Sequence, residues 1–78
     1  MITVLYFAAV RDLAGTDEEK LEFTGTIAEL GPVLEARHPA LAGRLASVRF
    51  ARNETFATND ERVEPGDVVA LIPPVAGG

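Results

Sequence analysis

Cysteine is absent from these 78 residues, which removes disulfide staples, thiolate metal ligands and thiol nucleophiles together. Long apolar runs are absent too. None approaches the roughly 20 residues needed to span a bilayer, and no basic segment precedes the apolar start at Ile2, so the expectation is a soluble, cytoplasmic protein with no membrane partner. Positive charge is scarce: seven Lys and Arg stand against twelve Asp and Glu, a net charge of −5 that disfavours nucleic-acid binding and suits a basic partner surface. Only one histidine occurs, His38, just before Pro39. It is expected to act at a helix end, where a protonated imidazole meets the last carbonyls, and it has no evident nucleophile to activate. The acidic groups Asp17-Glu18-Glu19 and Asp60-Glu61 read as solvated turns rather than a metal site. Neither phosphate-cradling glycine spacing, GxGxxG or GxxxxGK[ST], occurs.

What the chain does have is apolar patterning: 47% of its residues are hydrophobic and 24% charged, which suits one compact domain. Ile2–Phe7 reads as a strand that is apolar on both sides, with Ile2, Val4 and Tyr6 on one and Leu5 and Phe7 on the other. Ala8–Ala14 is a short helical stretch closed by Gly15, Thr16–Glu19 a polar turn, and Leu21 with Phe23 a second strand. Thr26 and Glu29 form a capping box, and Ile27, Leu30, Val33 and Leu34 make a helical stripe reaching His38. Pro32, beside Gly31, predicts a kink or a distorted second turn. Ala40–Leu45 is expected as a further helical piece and Val48–Phe50 as a third strand. Asn53-Glu54 should form a tight turn into Thr55–Ala57, and Glu64-Pro65-Gly66-Asp67 a type II turn. Val68–Ile72 is the closing strand, again apolar on both sides.

Hairpin, helix and further strands in that order predict an α+β domain with one main helix on a mixed sheet. If the closing strand lies parallel to the first, this is the β-grasp arrangement of ubiquitin-like proteins. The face bearing Leu5, Phe7, Phe56 and Ile72 is then either a contact surface or a second layer of core. Pro73-Pro74 stiffens the exit from the last strand. Gly77-Gly78 offers a terminus with no side chain to block entry into a narrow channel, within a flexible tail over 73–78. Because the side chains offer little reaction chemistry, the terminal carboxylate is the expected reactive group, once another enzyme has activated it.

Two segments carry a family resemblance. Tyr6-Phe7-Ala8, Arg11-Asp12 and Gly15 match a YFAxxRDxxG pattern, and Gly66-Asp67-Val68-Val69-Ala70 leads into Pro73-Pro74-Val75-Ala76-Gly77-Gly78. Both resemble the small subunit of molybdopterin synthase, and the likeness runs over essentially the whole chain. The resemblance implies a ubiquitin-like sulfur carrier of molybdenum cofactor biosynthesis, residues 1–78 forming its single domain. Gly78, preceded by Gly77, would be adenylated by an E1-like enzyme using ATP, then converted to a thiocarboxylate by a sulfurtransferase. The large synthase subunit would receive the tail in a heterotetramer of two small and two large subunits, and the sulfur would pass to cyclic pyranopterin monophosphate. Phe7, Arg11, Phe56, Ile72, Pro73, Pro74 and Val75 would be partner contacts, with no metal and no cofactor held by the chain. A thiamine-type sulfur carrier and a ubiquitin-like protein modifier share the fold and the Gly-Gly end, and stand as alternatives.

Overall fold

In the computed structural model, which describes residues 1–74, the first strand lies inside the main sheet and not at its edge. This strand, β1 (Ile2–Tyr6), is followed by α1 (Ala8–Ala14), β2 (Glu18–Leu21), β3 (Gly25–Thr26), α2 (Ile27–Arg37), β4 (Arg49–Arg52), β5 (Thr55–Phe56), β6 (Arg62–Val63) and β7 (Val68–Ile72). The main sheet has the order β2-β1-β7-β4-β5, and β3 pairs with β6 in a separate two-stranded ribbon. β1 and β7 run parallel, with Val4 opposite Val69, and the other pairings are antiparallel. A parallel pair needs a long crossover, and α2 lies in the segment that provides it. This is the expected α+β, β-grasp architecture.

Alternation along the two central strands decides where the core sits. Ile2, Val4 and Tyr6 of β1 and Val69 and Leu71 of β7 are buried, and they cluster with Leu21 and with Ile27, Leu30 and Leu34 of α2. Spacing of three and four residues puts those three helical side chains on one stripe. At the start of α2 the capping box is complete: the Thr26 hydroxyl accepts from the Glu29 N–H, and the Glu29 carboxylate accepts from the Thr26 N–H at 2.8 Å. Gly15 closes α1 at φ 78, its N–H donating to the Arg11 carbonyl. Gly66, at φ 89, sits third in the Glu64–Asp67 turn, closed by a 3.1 Å bond from the Asp67 N–H to the Glu64 carbonyl. Both positive φ values are ones glycine adopts at little cost.

Several boundaries and one shape differ from expectation. α2 is continuous from Ile27 to Arg37 with Pro32 inside it. Pro32 and Ala28 are both exposed, so the Ala28 carbonyl that loses its N–H donor is within reach of water and the helix need not break there. Val33 falls off the buried stripe, at 36% exposure. β2 begins at Glu18, inside the expected polar turn, and Phe23 packs half-buried against the core beyond the strand's end. Two 3-10 turns, Pro39–Leu41 and Leu45–Ser47, replace the single helical piece. β4 is shifted toward the hairpin and β5 stops at Phe56. The β3–β6 ribbon has no counterpart in the sequence reading, because two-residue strands leave no periodic trace.

Candidate functional site

Helix α2 covers one side of the sheet, and a depression of about 290 Å³ lies on the other. Leu5 of β1, Phe7 just beyond it, Phe56 of β5 and Val68, Ala70 and Ile72 of β7 line this depression. Phe7 is 46% exposed, Phe56 51% and Val68 38%. Three large apolar groups held this open on one face do not form a second layer of core, and leave the face available to a partner. Phe7, Phe56 and Ile72, separated by up to 65 positions in sequence, are thereby brought onto one surface.

Local structure explains how each side chain reaches it. At the end of β1, Phe7 keeps an extended backbone (φ −118, ψ 147) as N-cap of α1, and Ala8 turns the chain at φ 50, a left-handed conformation that its Cβ makes costly. Ile72 follows from the parity of β7, whose odd positions Val69 and Leu71 face the core. Phe56 lies across from Ala51 in the β4–β5 hairpin, with the Arg49 guanidinium 3.9 Å from its ring centroid. Glu54 also borders the depression, so this apolar face carries charge at its margin. Arg49 and Glu54 escaped the sequence reading. Their alternation with Ala51 and Phe56 across a short hairpin is the signal that was available.

Arg11 is not among the residues lining the depression. It lies on α1, exposed, with Nε 3.9 Å from Asp12 Oδ1. Pro73 and Pro74 leave β7 and border a different hollow of about 260 Å³, beside Val10 and Leu13 of α1 and Arg44, Leu45 and Val48. Val75, Gly77 and Gly78 lie outside the described residues.

Two carboxylate networks were missed, because both join residues remote in sequence. Glu19 is drawn inward, its side chain only 14% exposed. It accepts a hydrogen bond from the Tyr6 hydroxyl, another from Arg37 Nη2 at 3.2 Å, and pairs with His38 Nε2 at 2.7 Å. A carboxylate only accepts, so Nε2 of His38 carries the hydrogen. His38 is therefore committed to Glu19, with its ring edge-on to Tyr6, instead of meeting the helix carbonyls. Burial and the bond to Glu19 push the Tyr6 hydroxyl far above its ordinary pKa. Burial would raise Glu19, but the bonds from Tyr6, His38 and Arg37 outweigh it and hold the carboxyl below its usual range.

Asp67, the one buried charged residue among those described, sits where the Glu64–Asp67 turn enters β7. Arg52 Nε donates to its Oδ2 at 2.6 Å, the Glu64 N–H to the same oxygen at 2.8 Å, and Asn53 Nδ2 to Oδ1 at 3.0 Å. Burial works to raise its pKa, yet the three donors prevail and lower it to about 2. Among the described residues no group of three or more His, Asp or Glu is placed to hold a metal, and no helix is long and apolar enough to cross a membrane.

Comparison with known proteins bears on the family and the fold. The ThiS family model matches residues 4–78. The molybdopterin synthase sulfur carrier subunit of Escherichia coli (strain K12) is 40% identical, with all of both chains covered. Small archaeal modifier protein 1 of H. volcanii superposes with a TM-score of 0.81 at 26% identity, over 95% of this chain and 97% of that one. A chain from the complex of subunits 1 and 2 of the molybdopterin-converting factor of Helicobacter pylori 26695 has the same fold, with a TM-score of 0.73 at 23% identity over 99% and 97% of the two chains.

Proposed function

The chain belongs to the ThiS family, and we propose that it is a sulfur carrier of molybdenum cofactor biosynthesis whose cargo rides on the carboxyl group of Gly78. The observation that carries this reading is the end-to-end match to a molybdopterin synthase sulfur carrier subunit, together with the uncovered apolar face on the strand that leads to the tail. A carboxylate is a poor electrophile. An E1-like enzyme makes it reactive: the Gly78 oxygen attacks the α-phosphorus of ATP and pyrophosphate leaves. The outer sulfur of a persulfide on a sulfurtransferase then attacks the acyl carbon and AMP leaves, and a thiol reduces the resulting acyl disulfide, so that a thiocarboxylate remains. The sulfur passes to cyclic pyranopterin monophosphate in the large synthase subunit, and two such transfers build the dithiolene.

This chain contributes docking and delivery. Phe7, Phe56 and Ile72 bury apolar surface against the large subunit, in a cytoplasmic assembly of two small and two large chains. Pro73 and Pro74 limit the conformations open to the exit from β7, which lowers the entropy lost when Val75, Gly77 and Gly78 enter the partner's site. Arg11 lies apart from the depression and serves as a peripheral polar contact.

Intact-mass spectrometry tests the carrier chemistry. Incubation with the cognate activating enzyme, ATP and a sulfur source is expected to exchange one oxygen of the chain for sulfur. An unchanged mass alongside an activating enzyme that turns over on another carrier would overturn the reading. The likeness to small archaeal modifier protein 1 favours a second use of the same activated carbon, attack by a lysine amine to form an isopeptide. Conjugates of higher mass that survive thiol treatment would identify it.

A further inference from the structure

The wall of the apolar depression formed by β5 is held by little of its own. Only two residue pairs, Ala51 with Phe56 and Arg52 with Thr55, join β4 to β5 at the edge of the sheet, and the Ala57 N–H adds one bond to the Phe50 carbonyl. So short a ladder is not stable by itself. Its turn also carries strain, since Asn53 (φ 51) and Glu54 (φ 71) both take the left-handed conformation without being glycine.

Asn53 supplies the missing restraint. The β4–β7 register places it across from Val68, and its backbone N–H donates to the Val68 carbonyl at 2.8 Å. In an antiparallel pair the return bond would end on the Asn53 backbone carbonyl. Here the Val68 N–H donates to Asn53 Oδ1 instead, at 2.9 Å. The side-chain amide thus takes the place of a backbone group that the turn has rotated away. Its other end, Nδ2, donates to Asp67 Oδ1, while Asp67 Oδ2 is occupied by Arg52 and the Glu64 N–H. The amide can therefore sit in one orientation only, with oxygen toward Val68 and nitrogen toward Asp67.

We infer that Asn53, locked by Asp67, is a positioning residue that presets the β4–β5 hairpin, and with it Phe56 and Glu54, for docking of the large synthase subunit. The inference rests on the docking role proposed above for the face around Phe56. Neither Asn53 nor Asp67 needs to touch the partner. Their effect is to pre-organise the edge of the surface, so that association does not have to order it.

The polarity of the Asn53–Asp67 bond gives the test. Asn53→Asp keeps the shape and the acceptor for Val68 but sets two carboxylates against each other, and Asp67→Asn sets two amide nitrogens against each other. The double variant restores one donor and one acceptor with the bond reversed, and leaves an amide oxygen for Arg52 and Glu64. Each single variant is expected to bind the full-length cognate large subunit about 10-fold more weakly, with faster amide exchange at Ala57, whose N–H bonds the Phe50 carbonyl, and the double variant to recover most of both losses. Asn53→Gly, which retains the turn's backbone preference and so folds even if the charged variants do not, should show the same weakening. Absence of rescue in the double variant, or unchanged affinity in Asn53→Gly, would overturn the inference. Phe56→Ala separates the two ideas: unchanged affinity there defeats the docking role itself, whereas a loss there with none in Asn53→Gly defeats only the positioning role.

Discussion

The two faces of the main sheet are built from the same strands and have opposite fates. Toward α2, Ile2, Val4, Tyr6, Val69 and Leu71 are all at most 2% exposed. On the opposite face Phe7, Phe56 and Val68 keep more than a third of their surface open, around a depression that none of the described residues fills. Period-two alternation assigns residues to faces but does not say which face is covered. A lone helix long enough to shield one side leaves the other with its apolar groups unused, and in a domain this small their exposure costs solubility unless another chain takes them up. The contrast is one of role: the covered face holds the fold together, and the open face is the one proposed above for docking.

That contrast can be broken by substitution. The largest effect is expected from Leu71→Ala on the covered face, which should lower unfolding stability by about 3 kcal/mol through lost burial and a residual cavity. Chemical denaturation measures it, and a loss below about 1 kcal/mol would place Leu71 outside the load of the core. Next is Asp67→Asn, at the strand end where the two faces meet, with an expected loss of about 2 kcal/mol at neutral pH from its disrupted donors. Its pH dependence sharpens the point. The folded-state pKa of Asp67 is depressed, from 3.8 to about 2. Its contribution is therefore complete above about pH 4 and lost as the pH falls toward 2. Acid titration of wild type should show that decline, and the Asn variant should lack this share of it. Smallest in stability is Phe7→Ala on the open face, within about 1 kcal/mol of wild type because Phe7 is already half exposed. Its affinity for the large subunit should nonetheless fall about 10-fold or more. Equal losses of stability at Phe7 and Leu71 would erase the distinction between the faces.

Much of this was legible in the residues themselves. Alternation in Ile2–Tyr6 and Val68–Ile72, the Thr26–Glu29 capping box, Gly15 at a helix end and the Pro65-Gly66 turn are local signals, each set by a preference of the backbone or by a hydrogen bond within a few residues. They were enough for the α+β class, the order of the longer elements and the apolar side chains of the candidate site. The family motifs went further, to the chemistry expected of Gly78.

Pairings between distant segments belong to the tertiary structure. Glu19 and Asp67 look like ordinary surface acids in sequence, and become interior anchors only when β2 meets the end of α2 and when the Asn53 hairpin meets the start of β7. Pro32 spoils a helix by local rules, yet α2 runs through it, since the orphaned carbonyl lies on the exposed side and the buried stripe of Ile27, Leu30 and Leu34 holds both halves to the sheet. The sequence by itself determined which residues are apolar, which turn and which alternate. Only the assembled fold decided which apolar face stays open and which charges find partners, because burial and pairing depend on what the rest of the chain brings alongside.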